Sequence, residues 1–398
     1  MGGIWSSKKK PIPAATSSSA PPWSELPPEI LDLVLRRLDS HVDRVSFASV
    51  CRLWRHVARR YSPPLPPAMP WIIFPHGVYF QSLSDGEVRR FLRRREHDDY
   101  QCHGSFDQNW LFFKEIGSNR LFLENPLTTA TIELPGHCNE PVFLFSNGTF
   151  QTPSNLTSAN FDIYKVVVCS DDLIAALVKY DYHNVVVCCR PGMLSWSTGI
   201  SKTTNVYRYQ DMAFYNGMVY AVSNGGDLFE HEVSKDSDTG EPGVSRIKQV
   251  MAAPPPLDGY YQFLMESTKC YLVISCANKL LLVRWFLPNT IENPNNNLML
   301  KVSEADFEAS EWIEVERLDD QVLFVSSNCS KAISTASTHD QDLEDNRIYA
   351  IDDDIVFWHY WQGRDSCTCM YDMSSKTMHP ISLGERMISR SEAAWFFP

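Results

Sequence analysis

Residues Trp23 to Tyr61 carry more apolar surface than a segment of this size can bury by itself. Apolar side chains recur there at helical spacing in three successive stretches, which predicts three short helices. These side chains are Ile30, Leu31, Val34, Leu35 and Leu38, then Val42, Val45 and Phe47, then Val50, Leu53, Trp54 and Val57. Domains of about 40 residues normally need a covalent staple, a metal or a partner, and this segment has one cysteine and no metal-ligand spacing. Its apolar faces must therefore pack either onto the rest of the chain or onto another protein.

The charge of the chain is unevenly distributed. The formal net charge is −12, yet residues 1–61 hold ten Lys/Arg and five Asp/Glu, so the remaining 337 residues carry −17. Nucleic-acid binding needs a basic surface, so no nucleic-acid partner is expected. No run reaches the roughly 18–20 apolar residues of a membrane span, and the N-terminus lacks the apolar core of a secretion signal. We expect a protein of the cytoplasm and/or nucleus whose 11 cysteines are reduced thiols.

The first 22 residues are rich in Pro, Ser and Ala, which predicts a disordered tail over residues 1–22. The chain begins M-G-G-I-W-S, which fits the acceptor pattern for N-myristoylation at Gly2. Lys8, Lys9 and Lys10 would supply the electrostatic second signal that one acyl chain needs for stable membrane attachment. The alternatives are a lipidated, membrane-peripheral protein and an unmodified flexible tail.

A proline-rich segment follows the predicted helices. Residues 62–67 read S-P-P-L-P-P, a composition that favours polyproline II and forms a semi-rigid spacer. We therefore predict a linker over residues 62–70 and a separate domain over residues 71–398.

From Trp71 onward the pattern is that of β-strands. About eighteen short segments rich in Val, Ile, Phe, Tyr and Trp are separated by Asn, Asp and Gly turn signals. They recur in groups spaced by roughly 45–55 residues, which predicts a β-propeller of about six or seven blades, with a large β-sandwich as the competing architecture. The aromatic segments Pro70–Pro75 and Ala394–Pro398 are expected to share one blade and close the ring; alternatively, Trp395–Phe397 packs in a groove. Ser84–Glu96 is a candidate amphipathic helix.

No catalytic, cofactor-binding or metal-binding motif is recognisable in the chain. The phosphate-binding glycine loops, the GxSxG elbow and HExxH are all absent from the sequence. Cys102-His103 and His137-Cys138 are pairs without a matching second half, and Asp340–Asp345 and Asp352–Asp354 are interpreted as solvated acidic loops. The basic cluster of the acidic domain consists of Arg89-Arg90 and Arg93-Arg94-Arg95. It is interpreted as a solvated helix face, with contact to an acidic partner or to the helical segment as the alternative. A propeller hydrolase or lyase with an unrecognised residue set remains an alternative.

The helical segment resembles an F-box. The run Leu26-Pro27-Pro28-Glu29-Ile30-Leu31 is followed in order by Leu35, Leu38, Val45, Val50-Cys51 and Arg52-Leu53-Trp54. The resemblance implies an F-box over residues 23–61 that binds the Skp-type adaptor of a cullin–RING ubiquitin ligase, the SCF complex. The residues that it assigns to adaptor contact, or to bracing the helices, are Leu26, Pro27, Pro28, Ile30, Leu31, Leu35, Leu38, Val45, Val50, Cys51 and Trp54.

The order of F-box, proline spacer and β-rich domain resembles plant F-box proteins with a C-terminal β-propeller. The Asn125-Pro126-Leu127-Thr128 turn and the terminal Trp395-Phe396-Phe397-Pro398 are similar to that family. The resemblance implies a mainly β protein with a small α-helical N-terminal domain, acting as a non-catalytic substrate receptor for a substrate protein that it does not name. An F-box scaffold that works outside the ligase, tethered through Gly2, is the remaining alternative.

Overall fold

The computed structural model describes the chain in segments and divides it into two units, Met1–Leu65 and Pro66–Pro398. The described residues are 23–38, 41–60, 69–74, 79–83, 86–90, 100–106, 110–118, 120–126, 130–138, 144–146, 149–151, 156–157, 162–170, 172–180, 183–197, 209–235, 240–254, 268–286, 299–337, 343–351, 368–381 and 393–397. The predicted tail 1–22, including Gly2, Lys8, Lys9 and Lys10, lies outside these ranges, as do Asp352–Asp354.

The first unit contains three α-helices preceded by a short 3-10 turn, Trp23–Glu25. The helices are α1 (Pro28–Arg36), α2 (His41–Val50) and α3 (Arg52–Arg60). Helix α1 begins at Pro28 because the missing N–H of proline would have no helical partner at that position. The amides of Ile30 and Leu31 donate to the Pro27 carbonyl at 3.0 and 3.2 Å. Among the described helices, none is both long and apolar enough to span a bilayer.

The second unit is a six-bladed β-propeller, so the predicted fold is confirmed. The first two blades contain β1 (Trp71–Ile73), β2 (Tyr79–Ser82), β3 (Val88–Arg90), β4 (Tyr100–Phe106), β5 (Trp110–Glu115), β6 (Leu121–Glu124) and β7 (Thr131–Leu134). Four short strands form two further two-stranded sheets: β8 (His137–Cys138) with β11 (Leu156–Thr157), and β9 (Leu144–Ser146) with β10 (Thr149–Gln151).

The third and fourth blades contain β12 (Asp162–Ser170), β13 (Leu173–Tyr180), β14 (His183–Cys189), β15 (Tyr209–Tyr215), β16 (Met218–Ser223), β17 (Leu228–Lys235) and β18 (Pro242–Met251). The last two blades contain β19 (Thr268–Ile274), β20 (Leu280–Phe286), β21 (Met299–Asp306), β22 (Glu311–Val315), β23 (Gln321–Val325), β24 (Lys331–Ser334), β25 (Arg347–Ile351), β26 (Thr368–Asp372) and β27 (Thr377–Pro380). The last strand is β28 (Ala394–Phe396).

Most blades are antiparallel meanders of sequential strands, with two exceptions. The sixth blade has the order β24-β23-β25-β26-β27, in which β23 and β25 are parallel. The first blade has the order β28-β1-β2-β3, so the end of the chain forms its innermost strand. Apolar clusters lie between successive blades; Ile174 and Ala176 of β13 face the second blade, whereas Ala175 and Leu177 face the fourth. Because both sides of β13 are covered, its sequence is an almost unbroken apolar run.

The ring is closed by the pairing of β28 with β1, as the aromatic segments predict. Trp71 lies opposite Phe396 in this antiparallel ladder. The Trp395 indole is fully buried, and its Nε1 donates to the Val325 carbonyl of the sixth blade at 2.9 Å. The Ser105 hydroxyl of β4 donates to the Trp395 carbonyl. One buried strand therefore links the first, second and sixth blades.

Two local features differ from what the sequence pattern alone indicates. The helix proposed over Ser84–Glu96 is wrong where the structure describes it, because Val88–Arg90 is a strand that pairs with β2. Gly104 interrupts β4 at a φ of +130°, and a Cβ there would overlap the side chain of Asn328. This position needs glycine both for its backbone conformation and for the close approach of a neighbouring segment.

Candidate functional site

The helical unit has a small core that joins all three helices. Leu31 and Leu35 of α1 pack with Phe47 of α2 and Trp54 of α3. The rings of Phe47 and Trp54 lie 4.5 Å apart, centroid to centroid. The Trp54 Nε1 donates to the Trp23 carbonyl at 3.1 Å, which holds the 3-10 turn against α3. These contacts fix the helices in one arrangement and so determine which side of α1 faces outward.

Helix α1 is apolar on its outer side as well. Ile30, Leu33 and Val34 are 44%, 48% and 37% exposed, and their spacing of three and four residues places them on one face. We call these three residues the exposed apolar stripe. A surface helix normally has one apolar face and one polar face. A nine-residue helix with apolar residues on both sides therefore keeps one side for contacts outside its own core.

Two more exposed apolar side chains belong to the same unit. Trp23 is 70% exposed, and Val50 at the end of α2 is 53% exposed. Pro27 and Pro28, just before the stripe, are also exposed. Such a concentration of exposed apolar side chains in one small helical unit is typical of protein interaction surfaces.

The predicted adaptor-contact residues occupy three kinds of position. Pro27, Pro28, Ile30 and Val50 are exposed; Leu26, Leu38 and Cys51 are partly buried; Leu31, Leu35 and Trp54 are buried in the small core. The side chain of Val45 lies outside what the structure describes. The motif did not single out Leu33, although helical spacing from Ile30 is the signal that would have found it.

The candidate groups of the propeller do not assemble into a recognisable catalytic or metal site. Among the described residues, no cluster of three or more His, Cys, Asp or Glu side chains is placed to hold a metal ion. His103 lies 5.6 Å from the Phe112 ring, centroid to centroid, and burial lowers the pKa of His103 to about 4. His137 and Cys138 lie in a two-stranded sheet paired with Leu156 and Thr157.

The described residues of the propeller do contain a buried ion pair, which sequence reasoning missed. Lys165 of β12 donates to Asp211 of β15, with 8% and 0% of these residues exposed. The Asp211 carboxylate also accepts the amides of Met212 and Leu272, both at 2.7 Å. Burial raises the pKa of Asp211, while the Lys165 ammonium and the two amides favour its charged form. The ion pair joins β12 to β15, and the Leu272 amide joins β19 to the same carboxylate. These contacts link three successive blades, which indicates a structural role.

Comparisons with known proteins match both units of the chain. Residues 23–62 match the F-box-like domain, and residues 80–372 match the family described as KIB1-4 beta-propeller. The F-box protein SKIP23 of Arabidopsis thaliana is 25% identical over 342 residues, which cover 79% of this chain and 80% of that protein. Putative F-box protein At5g55150 of the same plant is 25% identical over 348 residues, with 83% and 86% covered.

The similarity to solved structures is weaker than the sequence matches. An oligogalacturonate lyase in complex with manganese has a TM-score of 0.34 and 11% identity, covering 77% of this chain and 70% of that one. The family match spans well over half of the chain, and the three-helix unit and six-bladed ring described above agree with it. The chain is therefore a plant-type F-box protein that belongs to the KIB1-4 beta-propeller family.

Proposed function

We propose that this protein is the substrate-recognition subunit of an SCF-type ubiquitin ligase and is not itself an enzyme. The F-box docks on the Skp-type adaptor, and the propeller binds the substrate protein. The observation that carries the proposal is the exposed apolar stripe on α1, which leaves Ile30, Leu33 and Val34 in solvent unless another protein covers them. Removing such side chains from water is the main favourable term in protein association.

The function follows from holding two proteins close together. A receptor that binds adaptor and substrate at once converts ubiquitin transfer into an effectively intramolecular encounter. The chain then needs no catalytic group, because the ubiquitin-conjugating machinery supplies the chemistry. The proposal of an SCF role rests on the F-box match and not on the propeller, since a propeller fold alone specifies no activity.

The adaptor contact can be tested with the full chain and a purified Skp-type adaptor by calorimetry or gel filtration. The double variant Ile30→Ser, Leu33→Ser should weaken binding by about 10-fold or more. Burying a fully exposed side chain of this kind contributes about 1.5–3 kcal/mol, and these two are about half exposed before binding. The exposed Glu29→Ser on the same helix is the matched control and should bind like the wild type.

The fold must be preserved for this comparison to be meaningful. Both variants should keep the circular dichroism spectrum and unfolding midpoint of the wild type, because the altered side chains lie outside the core of Leu31, Leu35, Phe47 and Trp54. If the double variant and the Glu29→Ser control bind the adaptor equally well, the stripe is not the docking surface and the proposal fails at its first step.

We also propose Gly2 as an N-myristoylation site, with Lys8, Lys9 and Lys10 as the electrostatic second signal. The support is the sequence pattern M-G-x-x-x-[ST]. Co-expression with an N-myristoyltransferase should raise the intact mass by one myristoyl group, and Gly2→Ala should abolish the shift. An unchanged mass of the wild type would remove the site.

A further inference from the structure

Arg284 is a buried cation between the fourth and fifth blades. It lies on β20 on the same side as Leu280 and Leu282, which pack in the apolar cluster shared by these two blades. The residue is 5% exposed. Gly226, in the turn between β16 and β17, lies over its aliphatic part: a Cβ on Gly226 would stand 3.6 Å from the Arg284 Cδ.

The guanidinium of Arg284 has little to compensate its charge among the described residues. Its Nε has no acceptor among the residues that the structure describes, and its Nη1 donates to the Pro254 carbonyl at a long 3.4 Å. The guanidinium carbon lies 5.1 Å from the centre of the Phe286 ring. Burial lowers the pKa of Arg284, and the charge of Glu314 only partly opposes this effect. The Glu314 carboxylate itself pairs with the Lys301 ammonium at 2.9 Å.

Lys165 is a second buried cation of the propeller, and its charge partner can be compared with that of Arg284. Both side chains are more than nine-tenths buried, yet Lys165 has the carboxylate of Asp211 as a direct partner, and Arg284 has no carboxylate within 4.0 Å among the described residues. A buried charge without a counter-charge is strongly unfavourable. Arg284 is therefore the group in the described propeller that is best explained by a ligand.

We propose that Arg284 is the binding residue of an oxyanion site at the seam between the fourth and fifth blades, for a phosphate or carboxylate group of a ligand. The planar guanidinium matches both groups, since it can donate two parallel hydrogen bonds to a pair of oxygens. Phe286 lies against the guanidinium and restricts its orientation, and Nε is available as a donor. The proposal does not depend on the ligase role, because it involves no residue of the helical unit.

The site can be tested by thermal unfolding of the full chain in inorganic phosphate or in acetate, with ionic strength held constant by chloride. A saturating rise in the unfolding midpoint is expected with at least one of the two anions. At about 100 times the dissociation constant, the unfolded population should fall about 100-fold. A response to phosphate alone identifies a phosphate site, and a response to acetate alone identifies a carboxylate site.

The variant Arg284→Met keeps the apolar part of the side chain and removes the charge. It should lose the anion response, while the exposed Arg246→Met on β18 should keep it. Arg284→Lys should show a reduced response, because an ammonium cannot donate in parallel. The proposal is overturned if neither anion raises the midpoint of the wild type, or if Arg284→Met responds as the wild type does.

A carboxylate of the chain itself is the competing partner. Pro254 and Phe286 are followed by segments 255–267 and 287–298, which contain Asp258, Glu266 and Glu292. If one of these pairs with Arg284, then Asp258→Asn, Glu266→Gln or Glu292→Gln should lower the midpoint in chloride buffer without phosphate or acetate as much as Arg284→Met does. That match would overturn the proposal. The oxyanion site instead predicts that Arg284→Met unfolds no earlier than the wild type in chloride buffer without phosphate or acetate, since it removes an uncompensated charge.

Discussion

The buried ion pair of Lys165 and Asp211 allows a quantitative prediction about the stability of the propeller. Asp211→Asn preserves the shape of the side chain but removes its charge, so the Lys165 ammonium is left buried without a counter-charge. Breaking such a pair from one side costs about 3–5 kcal/mol. The amides of Met212 and Leu272 add to the loss, because an asparagine must present its NH2 group to at least one of the donors that surround Asp211.

The expected shift in the unfolding midpoint follows from the size of the domain. The second unit, Pro66–Pro398, has about 330 residues, so its unfolding entropy is about 0.7 kcal/mol/K. A loss of 3–5 kcal/mol therefore lowers the midpoint by about 4–7 °C. Urea unfolding followed by tryptophan fluorescence gives the same free-energy difference at one temperature, with an unchanged dependence on urea concentration.

An exposed pair provides the matched control. Lys114 and Asp162 lie 2.9 Å apart, but the Asp162 side chain is 70% exposed, and Asp162→Asn should cost less than about 1 kcal/mol. The double variant Lys165→Met, Asp211→Asn should lose less stability than the two single variants together, because no charge is left unpaired. If Asp211→Asn unfolds within 1 kcal/mol of the Asp162→Asn control, the reasoning about the buried charge is refuted.

Three further predictions concern packing and pH. Gly104→Ala should lower the free energy of unfolding by about 2–4 kcal/mol, because the new Cβ overlaps the Asn328 side chain and the backbone is strained. Gly117→Ala, at a φ of +83° with open space around it, should cost only the backbone strain of about 1–2 kcal/mol. Equal losses for the two variants in urea unfolding would exclude the overlap. Trp395→Ala should lower the free energy of unfolding by about 3–5 kcal/mol, because it leaves a cavity at a fully buried site and removes the hydrogen bond to the Val325 carbonyl. A smaller loss in calorimetry would mean that β28 does not hold the ring closed. Burial lowers the pKa of His231 to about 4, so between pH 6.5 and 4 the unfolded chain binds a proton that the folded chain does not. The free energy of unfolding therefore falls with decreasing pH by about 1.4 kcal/mol per pH unit. In urea titrations at pH 7, 6 and 5, His231→Gln should reduce this pH dependence by one proton, and an unchanged dependence would contradict the assignment.

Several strands could be predicted from their apolar pattern. The sequence predicts strands over Trp110–Glu115, Thr131–Leu134, Gln321–Val325 and Thr368–Asp372, and the structure has strands with these bounds. Two strands that the pattern does not reveal, β18 and β4, have a physical reason for it. Strand β18 is the outermost strand of its blade and exposes Arg246 and Lys248, and β4 is interrupted by Gly104 where another segment approaches. In both strands the regular recurrence of apolar residues that predicts a strand is lost, although the backbone pairing is retained.

The helix wrongly expected over Ser84–Glu96 shows the converse error. Val88, Phe91 and Leu92 are spaced as on one helical face, but the pairing of Val88–Arg90 with β2 overrides this short-range signal. For the F-box, the sequence indicated which residues of α1 are apolar but not which of them the core covers. That division depends on how Leu31 and Leu35 meet Phe47 and Trp54, which is a property of the packed helices.

The closure of the ring has a consequence for folding during synthesis. The inner position of the first blade is filled by β28, which emerges from the ribosome about 325 residues after β1. Until then β1 presents an unpaired edge to the cell for most of the time that synthesis takes. A chain released early would lack this last strand, and its exposed edge would make it a client for chaperones or proteases.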